Sequence, residues 1–482
     1  MIFDRILEAS VPHSMISEEL SGLYGSQVLR ELGEITRLYE IYENGMDFPL
    51  NSDSDYIPSD MRFKQIKSLI KKEARFMFSK KPDFNVRSKN VSDSDKISQI
   101  QSFVNEVIQK NNFESRLIKA ARDCFVGRRV ALLCNTDENG EITLRFSPSQ
   151  EFIYEIDENE KLTKIVFFYQ LNNSSERKEQ RLYKKRYRME DGRCLVYEAI
   201  YDGGGQLLEE ITAERDSGLG YIPASVILND GLTGDCRGES DVEALADYEK
   251  WYSKLSAADM DAERQGMNPI RYAMDVNPQT TEDLSLAAGA FWDLSSDKTT
   301  SDSATGKVGV LENNMSYSSA LSTTLDRLKD SMYEQLDMPC VSSEAMKGMI
   351  TSGKTLKAIY WGLIVRCDEK FLSWRPALEF MVKCIVDSAK TFPNVVKFYD
   401  EEPLPDIPYI VSVENQYSLP EDEAEEKGTD LSEVASNVRS IRSYMKKWHG
   451  LTDDEADEEI RQIAIEKRIL EEAYMPPDDT EV

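Results

Sequence analysis

Along this chain of 482 residues the apolar positions change their period twice. From the N-terminus to about Phe125 they recur every three or four residues, the spacing of an amphipathic helix. The first 60 residues are irregular, with short helical patches such as "SQVLRELGEITRLYEIYE". Over Ser59 to Phe78 the pattern firms up, with Phe63, Ile66, Ile70, Phe76 and Met77 on one side. The Lys and Arg of that stretch read as a solvated face rather than a nucleic-acid patch. Residues 96–125 continue in helix, with a break expected at Asn111-Asn112.

At Val126 the period drops to two. "RRVALLCNT", "EITLRFS", "KLTKIVFFYQ", "EQRLYKKRYRM", "RCLVYEAIYD" and "QLLEEITA" are short β-rich runs separated by the turn signals "DENG", "EDG" and "DGGG". Successive strands with such short connections predict an antiparallel meander, because parallel pairing needs long crossovers. The block ends near "IPASVILND" (222–230).

Helical spacing then returns. "GESDVEALADYEKWYSKLSAADMDAER" (238–264) predicts a helix spanning roughly 40 Å at about 1.5 Å per residue. It carries the acids Asp241, Glu243, Asp247, Glu249, Asp259, Asp261 and Glu263. Residues 266–313 read as a compact mixed segment with a mobile interior, "SSDKTTSDSATGK". A second helix, 316–337, aligns Leu321, Leu325, Leu328 and Leu336. After a polar loop, Leu356, Ile359, Tyr360, Leu363, Cys367, Phe371 and Leu378 predict a helix from Thr355 to about Lys390, kinked at Pro376. Helical segments at 429–448 and 453–473 follow the acidic run "PEDEAEEKG", and the tail "MPPDDTEV" reads as disordered. The fold class is α+β, mainly helical, without internal repeats or long heptad arrays.

Composition narrows the function. The length suits two to four domains. The net charge is −29, and residues 400–482 hold 24 acidic against 8 basic residues, a balance of −16. A chain this acidic is unsuited to wrapping duplex DNA tightly, since such affinity comes from neutralising phosphates. Acidity serves solubility, or a surface past which a polyanion slides without sticking. Seven cysteines without a CxxC pair read as reduced, mostly buried thiols, not a disulfide frame or metal site. With only His13 and His449, histidine-based catalysis is poorly supplied. No stretch has the length and apolarity of a membrane span, and "MIFDRILEASVPHS" lacks the features of a secretory signal. No cofactor or metal is expected.

One motif argues the other way. "GMITSGKT" (348–355) fits the phosphate-loop pattern G-x-x-x-x-G-K-[ST] at every fixed position. That chemistry needs a strand feeding the loop and a helix leaving it with free N–H groups aimed at phosphate. The helix is expected from Thr355, but "SMYEQLDMPCVSSEAMK" upstream offers no strand, and "VVKFYD" (395–400) is the nearest candidate for a metal-holding strand. The alternative is a plain loop entering a helix. A nucleotide hydrolase acting through Lys354 and Thr355 stays open as a rival reading. So does an acidic scaffold or adaptor that docks partners on the 429–473 helices.

The order of elements resembles the portal protein family of tailed bacteriophages, in the branch of long-tailed phages of Gram-positive hosts. Two stretches carry the resemblance. "GESDVEALADYEKWYSKLSAADMD", with Gly238, Ser240, Asp241, Val242, Tyr252 and Ser256, is similar to the family's lead into its first channel helix. "SGKTLKAIYWGLIVRCDEK", with Ser352, Gly353, Leu356, Lys357 and Leu363, is similar to the passage from channel loop to spine helix. Most relatives have an aliphatic and then a small residue after that Ser-Gly; here Lys354 and Thr355 create the phosphate-loop lookalike.

The resemblance implies a ring of about twelve subunits at one capsid vertex, assembled in the host cytoplasm and carried in the virion. It would pass double-stranded DNA during packaging and ejection. Its implied partners are the terminase large subunit, a head–tail adaptor, and the major capsid and scaffolding proteins, with no membrane. Residues 1–237 would form the wing, 238–265 the first stem helix, 266–313 the clip and 314–338 the second stem helix. Residues 339–354 would form a tunnel loop, 355–415 a kinked spine helix returning to the wing, and 416–482 an acidic crown and tail. Ser342, Ser343, Glu344, Lys347, Thr351, Ser352 and Lys354 are the candidate loop residues facing DNA, and Asp241, Asp247, Asp259 and Lys329 the candidate stem lining. For the two loop lysines, ordinary solvation is the competing reading. For the stem acids it is pairing with neighbouring Lys and Arg.

Overall fold

The computed structural model describes residues 13–19, 24–48, 57–88, 93–172, 174, 176, 178–267, 270–276, 296, 305–311, 315–340, 353–418 and 423–473. It is a mixed α+β chain in two compact units. One comprises 1–340 with 362–417, the other 341–361 with 418–482.

The first unit begins with α1 (His13–Glu19), α2 (Tyr24–Asn44) and α3 (Gln65–Met77). Helix α3 starts six residues later than the periodicity predicts. Residues 57–64 lie outside any helix, for a reason given below. The break at Asn111-Asn112 is found between α4 (Ser94–Lys110) and α5 (Phe113–Gly127), with Asn112 at φ 47. A short strand β1 (Asp83–Arg87) pairs antiparallel with β12 (Ile410–Glu414) far along the chain. Neither was expected.

The alternating block is antiparallel throughout, but it forms two sheets. Strand β2 (Arg129–Thr136) lies between β3 (Ile142–Pro148) and β9 (Ala224–Leu228). Strands β4 (Phe152–Ile156), β5 (Leu162–Gln170), β6 (Arg181–Glu190), β7 (Arg193–Asp202) and β8 (Leu207–Asp216) make the five-stranded meander. Strand β4 is an addition to the runs recognised in the sequence. Period-two alternation is visible in the core. Ile165, Phe167 and Tyr169 join Ala131, Leu133 and Ala224 of the smaller sheet, while Val166 and Phe168 face Met15, Ile16 and Leu32 of α1 and α2. Strand β5 is thus buried on both sides. Glu19 ends α1 beneath Lys164, Lys184 and Arg186. Burial would raise its carboxyl, but the hydrogen bonds from Lys184 and Lys164, helped by the Lys184 and Arg186 charges, bring it down to about 2.

Next come α6 (Asp241–Met267), the ribbon β10 (Ile270–Met274) with β11 (Lys307–Leu311), and α7 (Ser318–Glu334). The predicted single helix from Thr355 is two, α8 (Gly353–Ile359) and α9 (Trp361–Thr391), with a turn at Tyr360. Helix α9 continues through Pro376. It buries Leu363, Ile364, Cys367, Phe371, Trp374, Leu378 and Met381 at intervals of one to four, and Trp374 meets Phe78 with centroids 5.1 Å apart. "VVKFYD" is no strand: most of it lies in helix α10 (Pro393–Phe398). Five of the seven free cysteines are buried, and Cys236 and Cys340 are exposed.

In the second unit the 429–448 segment is split between α11 (Glu423–Ala435) and α12 (Ile441–His449), because Asn437 turns at φ 59. Helix α13 (Asp453–Ala473) follows Gly450 at φ 66. Asp430 ties the first two together by accepting from Lys447 and the Trp448 indole, both at 2.8 Å, and from Arg439. Ser440 caps α12, and Thr452 with Glu455 makes a capping box for α13.

Candidate functional site

Helices α6 and α7 pack against each other, and the chain between them includes the antiparallel β10–β11 ribbon. Tyr317, just before α7, donates its hydroxyl to Asp259 of α6 at 3.3 Å. Of the residues expected to line a channel, Asp247 and Lys329 are exposed and Asp259 is half-buried against Tyr317. Asp241 is different. It is buried, and its carboxylate is already taken.

Helix α6 begins at Asp241 rather than at 238 because Gly238 sits at φ 74, outside helical geometry, and Ser240 caps the helix. Ser240 Oγ accepts from the Val242 N–H (3.2 Å) and donates to the Val126 carbonyl (2.6 Å). That pins the first turn of α6 to the end of α5. Asp241 then meets Arg366 Nη2 at 2.8 Å and Lys370 Nζ at 2.5 Å, both from α9. Glu73 of α3 takes the other side, 2.9 Å from Arg366 Nε and 2.8 Å from Lys370 Nζ. Lys370 also lies 3.8 Å from the centroid of Phe125. Two carboxylates and two cations balance in a buried cluster that joins α3, α5, α6 and α9. Burial pushes the Glu73 carboxyl up, countered mainly by Lys370 and reinforced by Asp241. For Lys370, burial works against the charge, and Asp241 and Glu73 outweigh it, so its ammonium is held more firmly than usual. The carboxylate of Asp241 therefore serves the interior of the subunit. Burial removes it from the expected lining.

The other acids of α6 explain why residues 57–64 are not helical. This segment lies along α6 as a strap. Asp261 accepts from the Ser59 N–H at 2.9 Å, Ser253 Oγ from the Phe63 N–H at 3.1 Å and Glu249 from the Ile66 N–H at 2.6 Å. Arg264 donates to the Ile57 carbonyl at 2.7 Å, and Phe63 packs edge-on against Tyr252 at 5.0 Å. Glu249 is fully buried under the first turn of α3, where free N–H groups favour a carboxylate. Burial nonetheless raises its carboxyl to about 7, against the N–H donors of Ile66 and Gln65. Glu243 pairs with Arg128, which also holds Glu34 at 3.2 Å. What reads as one acidic face is largely consumed within the subunit.

Ser342, Ser343, Glu344, Lys347, Thr351 and Ser352 lie outside the described residues, and Lys354 is described only as a helical position of α8. Among the described residues no strand leads directly into Gly353. Among the described residues the last strand before Gly353 is β11, which pairs antiparallel with β10. Helix α8 has seven residues. Among the described residues no group of His, Cys, Asp or Glu could hold a metal ion, and no helix is long and apolar enough to cross a membrane.

No curated protein matches the chain. The family model for phage portal proteins of the SPP1 Gp6-like kind matches residues 26–472, nearly its whole length.

Proposed function

Because the chain belongs to the phage portal protein family, SPP1 Gp6-like, we propose that it forms the ring through which double-stranded DNA enters and leaves a capsid. The family is structural rather than enzymatic, a component of the phage capsid concerned with DNA packaging and head–tail connection. The observation that carries the reading is the match over residues 26–472. The packed pair α6 and α7, with the ribbon between them in the chain, supports it, as stem helices and clip. Residues 339–354 would hang into the channel, with Ser342, Ser343, Glu344, Lys347, Thr351, Ser352 and Lys354 brushing the passing phosphates. Asp247, Asp259 and Lys329 remain candidates for the stem lining. The α1–α5 helices and both sheets would make the wing, and the acidic α11–α13 region the crown. A terminase large subunit would meet the clip during packaging and a head–tail adaptor afterwards, with major capsid and scaffolding proteins around the wing.

Mass by light scattering, with negative-stain imaging, tests this. A ring of about twelve copies is expected, and a monomer of 55.0 kDa in solution would overturn it. Nucleotide binding tests the rival hydrolase reading. The wild-type chain and Lys354→Ala are both expected to bind no ATP, whereas stoichiometric binding abolished by the substitution would refute the channel assignment.

A further inference from the structure

Among the described residues strand β8 is the outer edge of the five-stranded sheet, paired on one side only, with β7, in a ladder whose register shifts at three places. All its residues except Thr212 are exposed, and Leu207, Leu208 and Ile211 are 48%, 45% and 48% exposed. A row of outward N–H and C=O groups flanked by large aliphatic side chains is a template for another strand, and folded chains ordinarily blunt such edges. Here the blunting has a sign. Glu209, Glu210, Glu214 and Asp216 stand against Arg215 alone. Glu214 is engaged by Arg186 and Arg188. Glu209 and Glu210 are exposed and form no ion pair among the described residues.

The charge decides between occupants. If two copies paired antiparallel through the full length of β8, Glu209 would face Glu214 across the new ladder, and like charges directly opposed are unfavourable. Glu209 and Glu210, as neighbours on one strand, face opposite sides, so an added strand with lysine or arginine at alternate positions meets one of these carboxylates favourably while its apolar residues lie over the aliphatic side chains of the other face. We propose that the β8 edge takes up an extended segment of a partner protein in which apolar and basic residues alternate, adding a sixth strand to the sheet. The unpaired acids disfavour self-association in that register and select the partner. This assignment stands apart from the ring reading.

Hydrogen exchange on the full chain tests it. The probe is a capped nine-residue peptide alternating Lys and Val, compared with one alternating Lys and Gly and one alternating Glu and Val. The Lys–Val peptide is expected to slow exchange of the fast amides within 207–216 by about tenfold, and to do so less in about 0.5 M salt. The Glu–Val peptide and the Lys–Gly peptide are expected to leave them unchanged. The Glu209→Lys/Glu210→Lys variant, with exchange elsewhere as in the wild type, is expected to lose the protection. The proposal fails if the Lys–Val peptide leaves 207–216 unprotected, or if Lys–Gly or Glu–Val protects equally well. It fails also if the charge-reversed variant is protected as before.

Discussion

Asp241, the first residue of α6, and Lys370, ten residues into α9, meet at 2.5 Å in the interior, with Glu73 and Arg366 closing the square. A charge square of this kind is costly to break from one corner, because removing one carboxylate leaves a desolvated cation behind. It also fixes the root of α6 relative to α3 and α9, so the direction in which α6 leaves the sheets depends on it.

Asp241→Asn is accordingly expected to lower unfolding stability by about 3–5 kcal/mol, the usual cost of unpairing a buried ion. Lys370→Met should cost a similar amount. The double variant should fall short of the sum by on the order of 1–3 kcal/mol, since the two residues share one cluster. Urea denaturation of all four proteins measures this, and simple additivity would refute the coupling.

The square was hidden in the sequence for a physical reason. Only the four-residue spacing of Arg366 and Lys370 is a local signal, whereas their carboxylates lie more than a hundred residues upstream. An acid at the start of a helix looks like ordinary dipole compensation. The strap was equally hidden, because it is held through its main-chain N–H groups, which leave no side-chain pattern to read. By contrast α6, α7, α9 and the strands β5 to β8 of the meander were legible, since burial of one face imprints a period on a long run. The five-residue strands β1 and β4 are too short for that, and the division of the strands into two sheets depends on contacts between distant segments. The family was legible from element order and the stretches around Ser240 and Ser352.

Glu249 should impose a pH dependence. Its carboxyl titrates at about 7 when folded, against 4.5 in the unconstrained side chain. Between those values the folded protein keeps a proton that the unfolded chain has released. This group's contribution is therefore greatest below about 4.5, declines as pH rises to about 7 and is flat above, a change of up to about 3 kcal/mol. Glu249→Gln abolishes the titration, so its melting temperature should gain on the wild type between pH 5 and pH 8. A difference that does not change with pH would contradict the assignment. Glu19 does not interfere, because its own effect lies between about 2 and 4.5, with stability lost as pH falls.

Gly238 and Gly192 separate two costs. Both have φ near +75° (74° and 76°). A Cβ at Gly192 would meet nothing within 4 Å, whereas one at Gly238 would run into the Arg128 carbonyl and lie 3.1 Å from that of Asn229. Gly192→Ala should cost about 1 kcal/mol, from left-handed backbone strain alone. Gly238→Ala should cost at least 1 kcal/mol more, because backbone must move to admit the methyl group. Thermal melts of the two variants decide the matter, and equal losses would mean that the loop before α6 yields freely.

The strap along α6 has an unequal grammar. The helix contributes side chains of fixed identity, Glu249, Ser253 and Asp261, while Ser59 and Ile66 are gripped by the peptide bond that every residue except proline shares. Mutational drift should consequently be lopsided, with the strap of residues 57–62, apart from Arg62 and its partner Asp60, free to change its letters while the rod beneath it keeps its spelling.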